Sequence, residues 1–399
     1  MDEKNFLNIH VLISHSPSCL NRDDANMQKS AVFGGTRRVR ISSQCLKYWM
    51  RKSHYFKDSF PGVSTRTRAM AEEIEKELKG KTQMPEKDLR ALVVEAMEVF
   101  VAKPSKEKLK KGRVFTQVVP WTDNEKQQVI NVLEEIWKKS KEKKADETEK
   151  EKTKNKSKKK DRKEDLKKAF SSNKNNIANL FAQGSDISLF GRMTTSSLMP
   201  KVDGAVSVAH SITTHSVDGD IDYFVAVDDL VEEDVSEDPD QGAGHINTQE
   251  FGSGVFYRYA SLNIQQLQKN IGSDTTREQA LDISSHLVHM LATIVPDAKQ
   301  RSFAAYNPAD LVLASFSDLP VSAANAFERP VEHNPKGGSG FIQPSIDALE
   351  DYWNKVHKGY GLNDRQAAFS LWDTKLKPRK NSLSELEDWI RKGGENGNG

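Results

Sequence analysis

The sequence predicts an α+β fold in which a ferredoxin-like sandwich of a sheet and helices is interrupted by a large helical insertion. Three observations lead to this prediction. An alternating segment near the N terminus is followed by an amphipathic helix, residues 62–140 have helical periodicity, and the C-terminal half contains strand, helix and strand in that order. Strand–helix followed by strand–helix–strand is the chain order of such a sandwich. The helical segment, residues 58–184, is therefore an insertion.

The first strand and helix are predicted from two different periodicities. From Phe6 to Ser14 apolar residues alternate with polar ones, which is typical of a strand with one buried face and one polar face carrying Asn8 and His10. The segment "ISSQCLKYWMRKSHYF" has apolar residues at helical spacing. We expect a helix with Ser42 or Ser43 as its N-cap, which buries Leu46, Trp49 and Met50.

Three helices are predicted in the insertion. The first ends at Gly80, a glycine of the kind that follows a last helical turn, and the second starts with Pro85 in a first-turn position. The third carries an apolar stripe of Ile130, Leu133, Ile136 and Trp137. A lysine-rich, low-complexity run at about 138–168 follows, for which we expect a solvated helix extension or a disordered loop.

The C-terminal half returns to strands and loops. Residues 185–202 are assigned to the sheet domain, 203–250 to a long hairpin, 251–392 to the rest of the sheet domain and its C-terminal helices, and 393–399 to a disordered tail. Within it, "GVFYRYASLNI" alternates as a strand and "DLVLASF" is apolar throughout, which predicts a buried strand.

Capping boxes mark two helices in this half. Thr275-x-x-Glu278 opens a helix predicted over residues 276–295, and a second box at Ser382 opens the last helix.

The hairpin is predicted from two apolar pieces that flank a polar tip. "DYFVAVDDL" and "HINTQEFGSGVF" enclose the acidic "VEEDVSEDPDQGAG". Such an arm has apolar side chains that its own two strands do not bury, namely Tyr223, Phe224 and Ile246. They either pack on the parent domain or need cover from another molecule.

Composition excludes several classes of protein. The chain of 399 residues has a net charge of only +2 and two cysteines, Cys19 and Cys45, which fit a reducing compartment and no disulfide scaffold. No signal peptide and no apolar run long enough to span a membrane is visible, so we expect a soluble cytoplasmic protein without membrane partners. The lysine-rich run has 16 basic and 8 acidic residues, which leaves about −6 elsewhere. Any site for a polyanion is therefore a local patch.

One such patch is predicted at residues 21–52. This segment has eight Lys and Arg residues against Asp23 and Asp24, and six of the eight lie within residues 37–52: Arg37, Arg38, Arg40, Lys47, Arg51 and Lys52. Lys47 and Arg51 stand four residues apart on the predicted helix, where like charges repel each other. The basic face is therefore either solvated or a site that binds phosphate. The pair Gly34-Gly35 and the serines at the helix start favour phosphate, since backbone N–H groups at a helix N terminus bind it. The Walker pattern of nucleotide-binding loops is missing.

Metal and catalytic sites are not predicted. Asp218, Asp220 and Asp222 suggest a calcium loop, but the required glycine and bidentate glutamate are missing. The histidines His210, His215 and His245 have no accompanying cysteine for zinc. No motif supports nucleophilic catalysis, and we expect no cofactor.

Six stretches carry a resemblance to a known family. "HVLISHSPSCLNRDD", "FGGTRRVRISSQCLK", "GRMTTS", "VDGAVSVAHSITTH", "TQEFGSGVFYRYA" and "NPADLVLASFSDLP" together resemble CasC, the repeated backbone subunit of Cascade, the type I-E CRISPR surveillance complex. The resemblance runs from about Asn5 to the C-terminal helices and misses mainly the lysine-rich run and parts of the insertion.

The resemblance implies a hand-like, non-catalytic subunit. It implies a modified RNA-recognition (ferredoxin-like) palm in residues 1–57, 185–202 and 251–392, helical fingers in 58–184 and a β-hairpin thumb in 203–250. Its partners would be a CRISPR guide RNA, the target DNA strand paired to that guide, other copies of itself in a helical filament, and other Cascade subunits. Each thumb would fold over the neighbouring copy's stretch of guide and flip out a base.

Individual residues are carried over from the family. The resemblance implies guide-backbone contacts for Arg22, Lys29, Ser42, Gln44, Lys47 and Arg51, and base contacts for Met193 and Phe224. We add Arg37, Arg38 and Arg40 to the RNA-binding set because of their charge and position before the basic helix. Two positions depart from the family: Thr36 stands where a basic residue can occur, and Tyr48 where Arg is frequent.

An enzyme is the competing hypothesis. Backbone subunits of the type III kind cut target RNA with an aspartate in a loop near the N terminus, and Asp23 or Asp24 would be the candidates here. Such cleavage needs a metal-activated water, and no second ligand group lies nearby in the sequence. These aspartates are expected to fix the loop or to pair with Arg37 or Arg38.

Overall fold

The computed structural model of the chain describes residues 3–60, 62–100, 118–146, 166, 168–170, 184–194, 199, 201–227, 243–272, 274–333 and 340–395. These residues form a mixed α+β protein, which confirms the predicted fold class. The chain divides into two compact units. The sheet unit consists of residues 1–59, 206–265 and 276–399, and the helical unit consists of 60–205 and 266–275. Residues 185–202, which the sequence placed with the sheet, thus group with the helices.

The strands belong mostly to the sheet unit. In chain order they are β1 (Phe6–Ser18), β2 (Ser30–Phe33), β3 (Thr36–Ile41), β4 (Thr65–Thr67), β5 (Val119–Trp121), β6 (Val206–Val208), β7 (Ser211–Thr213), β8 (Asp220–Val227), β9 (Ala243–Asn263), β10 (Leu311–Ser317), β11 (Arg365–Ser370) and β12 (Arg379–Lys380). All but β4 and β5 form one sheet of order β12-β11-β10-β1-β9-β7-β3-β2, with β6 and β8 also paired to β9.

The helices are divided between the units. In chain order they are α1 (Ser43–Lys52), α2 (His54–Ser59), α3 (Met70–Lys81), α4 (Glu86–Phe100), α5 (Asp123–Asp146), α6 (Ser185–Phe190), α7 (Ile264–Ile271), α8 (Arg277–Thr293), α9 (Gln300–Phe303), α10 (Ile342–Tyr360) and α11 (Leu383–Arg391). Helices α3 to α6 belong to the helical unit. Among the described residues, no helix has both the length and the apolar character needed to cross a membrane.

The middle of the sheet has the order β10-β1-β9-β7 with every neighbouring pair antiparallel. This is the neighbour order of a ferredoxin-like sandwich, with α8 as the connection between β9 and β10. The more specific likeness to an RNA-recognition domain stays a prediction.

Strand β1 differs from its prediction because both of its faces are buried. Asn8 and His10, assigned to a polar face, are fully buried along with Leu7. Each side chain has a hydrogen-bond partner on the neighbouring strand: the Tyr257 hydroxyl lies 2.8 Å from His10 Nδ1, and the Tyr259 hydroxyl donates to Asn8 Oδ1 at 3.0 Å. Alternation alone could not tell these buried polar side chains from solvated ones.

Helix ends also correct the predictions in detail. Ser42 is the N-cap of α1, with its hydroxyl accepting from the Cys45 N–H, as one of the two alternatives stated. The capping box of α8 is formed by Thr276 and Gln279, one residue after the pair predicted. Helix α3 continues through Gly80 to Lys81, since the Thr82 N–H and hydroxyl both bond to the Leu78 carbonyl and close the helix there.

The helical unit has its own apolar core. It is formed by residues from α3, α4 and α5 together with Leu166, Phe170 and Met199. Strands β4 and β5, which the sequence did not predict, pair antiparallel in this unit. The lysine-rich run begins inside α5, which continues to Asp146. Nearly all of its remainder lies outside the described residues. Of the tail predicted at 393–399, Gly394 is buried and its N–H donates to the Trp389 carbonyl at 3.0 Å, so the tail begins later than predicted, and 396–399 lie outside the described residues.

A half-buried histidine–aspartate pair in the sheet unit leads us to expect a pH dependence of the fold's stability. His357 Nε2 lies 3.1 Å from Asp364 Oδ2. Burial alone would lower the pKa of His357, but its hydrogen bonds to Asp364 and the Trp353 carbonyl raise the pKa above the ordinary value. Burial would raise the pKa of Asp364, yet hydrogen bonds from His357 and serine hydroxyls lower it.

We therefore expect this pair to stabilise the fold in mildly acid solution. A raised histidine pKa contributes stability that is complete below the unfolded pKa and is lost as pH rises through the folded one. The difference in free energy of unfolding between the wild type and His357→Gln, measured with urea, should be larger at about pH 5.5 than at about pH 8. An equal difference at both pH values would contradict the assignment.

Candidate nucleic-acid interface

The basic segment, residues 21–52, is folded as a loop, the β2–β3 hairpin and helix α1. Asn21 hydrogen-bonds the loop to the start of α1 and to the residue before β2. Its side-chain oxygen accepts from the Ser42 N–H at 2.9 Å, and its carbonyl accepts from the Lys29 N–H at 2.8 Å. The Arg40 N–H in turn donates to the Lys29 carbonyl at 2.9 Å. The loop is thus fixed against β3 and the start of α1, an arrangement that the sequence did not reveal.

Asp23 stabilises the loop itself. Its Oδ1 accepts from the backbone N–H groups of Ala25 and Met27, at 3.0 and 2.9 Å. Of the two roles predicted for the aspartates, fixing the loop is therefore the one that Asp23 has. Arg22 belongs to the same loop, where its guanidinium donates to the Asn26 side chain.

The glycine pair makes a tight turn between β2 and β3. Gly34 and Gly35 have φ values of +58° and +74°, a region that favours glycine. A Cβ at Gly34 would lie 1.6 Å from the Glu328 carbonyl oxygen. The turn therefore serves close packing of the hairpin.

Arg38 is not part of an exposed basic patch. Its side chain is fully buried, and its guanidinium donates to the Thr213 carbonyl at 2.9 Å, the Phe327 carbonyl at 3.0 Å and the Thr36 hydroxyl at 2.9 Å. Burial lowers the pKa of Arg38. A side chain enclosed in this way is not available to RNA, so its inclusion among the phosphate contacts is corrected. Thr36, which departs from the family pattern, is one of its partners.

Arg37 and Arg40 lie on the same strand but remain partly accessible. Arg37 forms an ion pair with Glu250, whose side chain is only 5% exposed. Arg40 Nε donates to the Ser30 carbonyl at 2.9 Å, and its Nη1 lies 3.1 Å from His210 Nδ1. Burial, together with the charge of Arg40, lowers the pKa of His210, so the imidazole is neutral and accepts from Arg40. His210 therefore supports an arginine in this arrangement.

Helix α1 carries polar and basic side chains along one of its faces. Gln44, Lys47 and Arg51 stand three and four residues apart, so they share one face, while Leu46 and Met50 are buried on another. Gln44 is exposed, and Lys47 and Arg51 are half-buried. Ser42, also predicted to contact RNA, is buried as the N-cap, with only 8% of the residue exposed. Lys52 lies over the Tyr48 ring at 5.9 Å.

The two predicted base contacts belong to different parts of the chain. Met193 follows α6 in the helical unit and is 84% exposed, the largest value among the big apolar side chains described. Phe224 lies in β8, where its backbone pairs with Asn247. The two predicted arms pair antiparallel from Asp220 to Val227. The tip at 228–242 and the side chains of Tyr223, Phe224 and Ile246 lie outside the described residues.

The described residues contain no group of three or more His, Cys, Asp or Glu placed to hold a metal ion. His215, weighed above as a zinc ligand, stacks on Phe341 at 3.8 Å, and its Nε2 accepts from the Val255 N–H at 3.2 Å. Both cysteines are free thiols, and burial raises the pKa of Cys45 to about 11.

Comparison with known proteins places these features in a family. The model of the CT1975-like protein family matches residues 7–392. A chain from a solved structure titled "CRISPR RNA-guided surveillance complex, pre-nicking" is 24% identical with a TM-score of 0.78, over 98% of this chain and 100% of that one. Another, titled "CRISPR RNA-guided surveillance complex", is 22% identical with a TM-score of 0.55, over 97% of this chain and 98% of that one. No curated protein matches the chain.

The burial of Arg38 leads to a stability prediction. Arg38→Gln would leave the carbonyls of Thr213 and Phe327 without their donors, at about 1–3 kcal/mol for each. We expect the free energy of unfolding to fall by about 2–5 kcal/mol in urea titrations. The control is Lys52→Gln on the exposed end of α1, which should change it by less than about 0.5 kcal/mol. Equal small effects of both substitutions would mean that Arg38 does not hold the hairpin.

Proposed function

The chain belongs to the CT1975-like protein family, and from this premise we propose that it is the guide-RNA-binding backbone subunit of a CRISPR surveillance complex. The observation that carries the proposal is the likeness of fold, along essentially the whole of both chains, to a chain from an RNA-guided surveillance complex. The basic segment adds chemical support, since it provides the positive charge that a polyanion needs in a protein of nearly neutral net charge.

The proposed contacts are mainly to phosphates. Lys47 and Arg51 stand with Gln44 on one face of α1, and Arg22, Lys29 and Arg40 belong to the loop and hairpin that are hydrogen-bonded to its start. Phosphate contacts do not depend on base sequence. This suits a subunit that must accept any guide, because pairing between guide and target provides the specificity.

In the proposed complex, several copies of the chain form a helical filament along one guide RNA. The β8–β9 hairpin folds over the neighbouring copy's stretch of guide, and Met193 and Phe224 contact bases. The guide so held pairs with a target DNA strand, and other subunits of a type I-E Cascade complete the assembly in the cytoplasm. The exposure of Met193 and the length of the hairpin support these contacts.

The subunit is proposed to be non-catalytic. The type III alternative places an attacking or metal-binding role on Asp23 or Asp24. Asp23 Oδ1 already accepts two backbone N–H groups and so has a structural use that explains an aspartate at this position.

The phosphate assignment predicts a change in salt dependence. Replacing Lys47 and Arg51 by Ala should weaken binding to single-stranded RNA of any sequence by a similar factor. It should also reduce the slope of log K against log salt by about 0.7 for each lost contact. Filter-binding or fluorescence titrations over a range of salt concentrations measure both quantities.

The matched control replaces Lys355 and Lys358, two exposed lysines of α10, by Ala. Their loss removes the same charge and should leave the salt slope unchanged. A loss of affinity that varied strongly with RNA sequence, or equal effects of the two double substitutions, would contradict the assignment of phosphate contacts to α1.

The non-catalytic role is tested with the assembled complex. Guide-loaded protein incubated with complementary RNA and Mg²⁺ or Mn²⁺ should leave that RNA intact. Cleavage that Asp23→Asn or Asp24→Asn abolishes, without loss of RNA binding, would establish the type III alternative.

A further inference from the structure

Met193 directly follows Arg192, a residue that buried contacts hold in place. Arg192, the preceding residue, forms two backbone hydrogen bonds with Val202, at 2.8 and 3.0 Å. Gly191 has a φ of +79°, and a Cβ there would lie 2.7 Å from the Gly204 nitrogen. The chain leaving α6 and the chain returning through residue 204 thus approach so closely that only glycine fits.

The side chain of Arg192 fixes this part of the backbone to α5. Its Nη1 donates to Glu125 Oε1 at 2.6 Å, and the two side chains are 0% and 2% exposed. The other Glu125 oxygen accepts from the Thr122 N–H at 2.8 Å, while the Thr122 hydroxyl accepts from the Glu125 N–H at 3.2 Å. Glu125 is therefore both the partner of Arg192 and part of the capping box that starts α5.

A buried ion pair is a poor source of stability, since the desolvation of both charges offsets their attraction. The helical unit already buries a large apolar core that includes Ile74, Leu133 and Trp121. What the pair provides is a fixed direction for the backbone next to Arg192, and the next side chain is the exposed Met193. A methionine side chain is flexible, so its contact with a ligand is strongest where the backbone carrying it is already ordered.

We propose that Arg192 is a positioning residue for RNA binding. Through its ion pair with Glu125 it holds the backbone that presents the adjacent Met193 to a base of the bound RNA. The proposal rests on the proposed function, in which Met193 contacts RNA.

A double-mutant cycle in RNA affinity tests it. The variants are Met193→Ala, Glu125→Gln, the double change Arg192→Met with Glu125→Gln, and each of the last two combined with Met193→Ala. Glutamine retains the acceptor for the capping box, and the double change leaves no buried charge unpaired, so it should fold even if Glu125→Gln alone does not. Glu77→Gln is the control, since the pair of Glu77 with Lys81 is in the same unit but partly exposed.

Met193→Ala should lower the affinity of the full chain for single-stranded RNA about fivefold or more. The variants at Arg192 and Glu125 should show a similar loss, and adding Met193→Ala to them should change it by less than about twofold. Glu77→Gln should bind as the wild type does. All affinities are measured below the melting temperature of the least stable variant.

Three results would overturn the inference. One is a folded Arg192→Met, Glu125→Gln variant with wild-type affinity, whatever its melting temperature. The second is a further loss of RNA affinity when Met193→Ala is added, so that the fold-losses multiply as they do for independent substitutions. Wild-type affinity in Met193→Ala would also overturn it, while an affinity loss in the Lys47 and Arg51 variants would leave the proposed function standing. A wild-type protein that bound no RNA would instead refute the proposed function.

Discussion

The buried guanidinium of Arg38 is the interaction on which the candidate interface depends. It joins the β2–β3 hairpin to the Thr213 carbonyl of β7 and to the chain at Phe327, and Gly34 packs beneath the Glu328 carbonyl at the same place. Because β3 is held on this side, the residues that follow it enter α1 in a fixed orientation. Ser42 then caps the helix, and Asn21 bonds the preceding loop to that cap. The accessible basic side chains of the loop, the hairpin and α1 thus stand on backbone that the buried guanidinium of Arg38 holds in place.

Some arginines of this chain are buried and bind backbone carbonyls, whereas other basic residues are accessible, and composition cannot distinguish the two groups. Arg38, Arg192 and Arg258 are all fully buried, and each donates to backbone carbonyls. Arg258 lies in the middle strand β9 and bonds to the carbonyls of Leu291 and Ile294 at the end of α8. Such arginines satisfy carbonyls that the packed interior would otherwise leave without donors. The other basic side chains of the loop, the hairpin and α1 are exposed or half-buried.

The sequence predicted the elements with a strong period and missed those set by long-range contacts. The buried strand at Leu311–Ser317 and the amphipathic helix α1 follow from local pattern, and the structure confirms both. The burial of Asn8 and the enclosure of Arg38 depend on partners more than 150 residues away, Tyr259 and Thr213, which no local window contains. The short strands β11 and β12 are held by pairing at the edge of the sheet and were likewise not predicted. For the interface, charge and family resemblance named the segment, but only the structure separated anchoring arginines from accessible ones.

In the proposed function, this chain assembles along a guide RNA. The most direct measurement is co-expression of the full chain with a CRISPR array and with the other subunits of the complex, followed by purification and sizing of the RNA that remains bound. The account predicts RNA of uniform guide length, protected from nuclease over a length that increases with the number of copies of the chain in the complex. Protein that purified without RNA, or with fragments of random length and no dependence on the array, would contradict it.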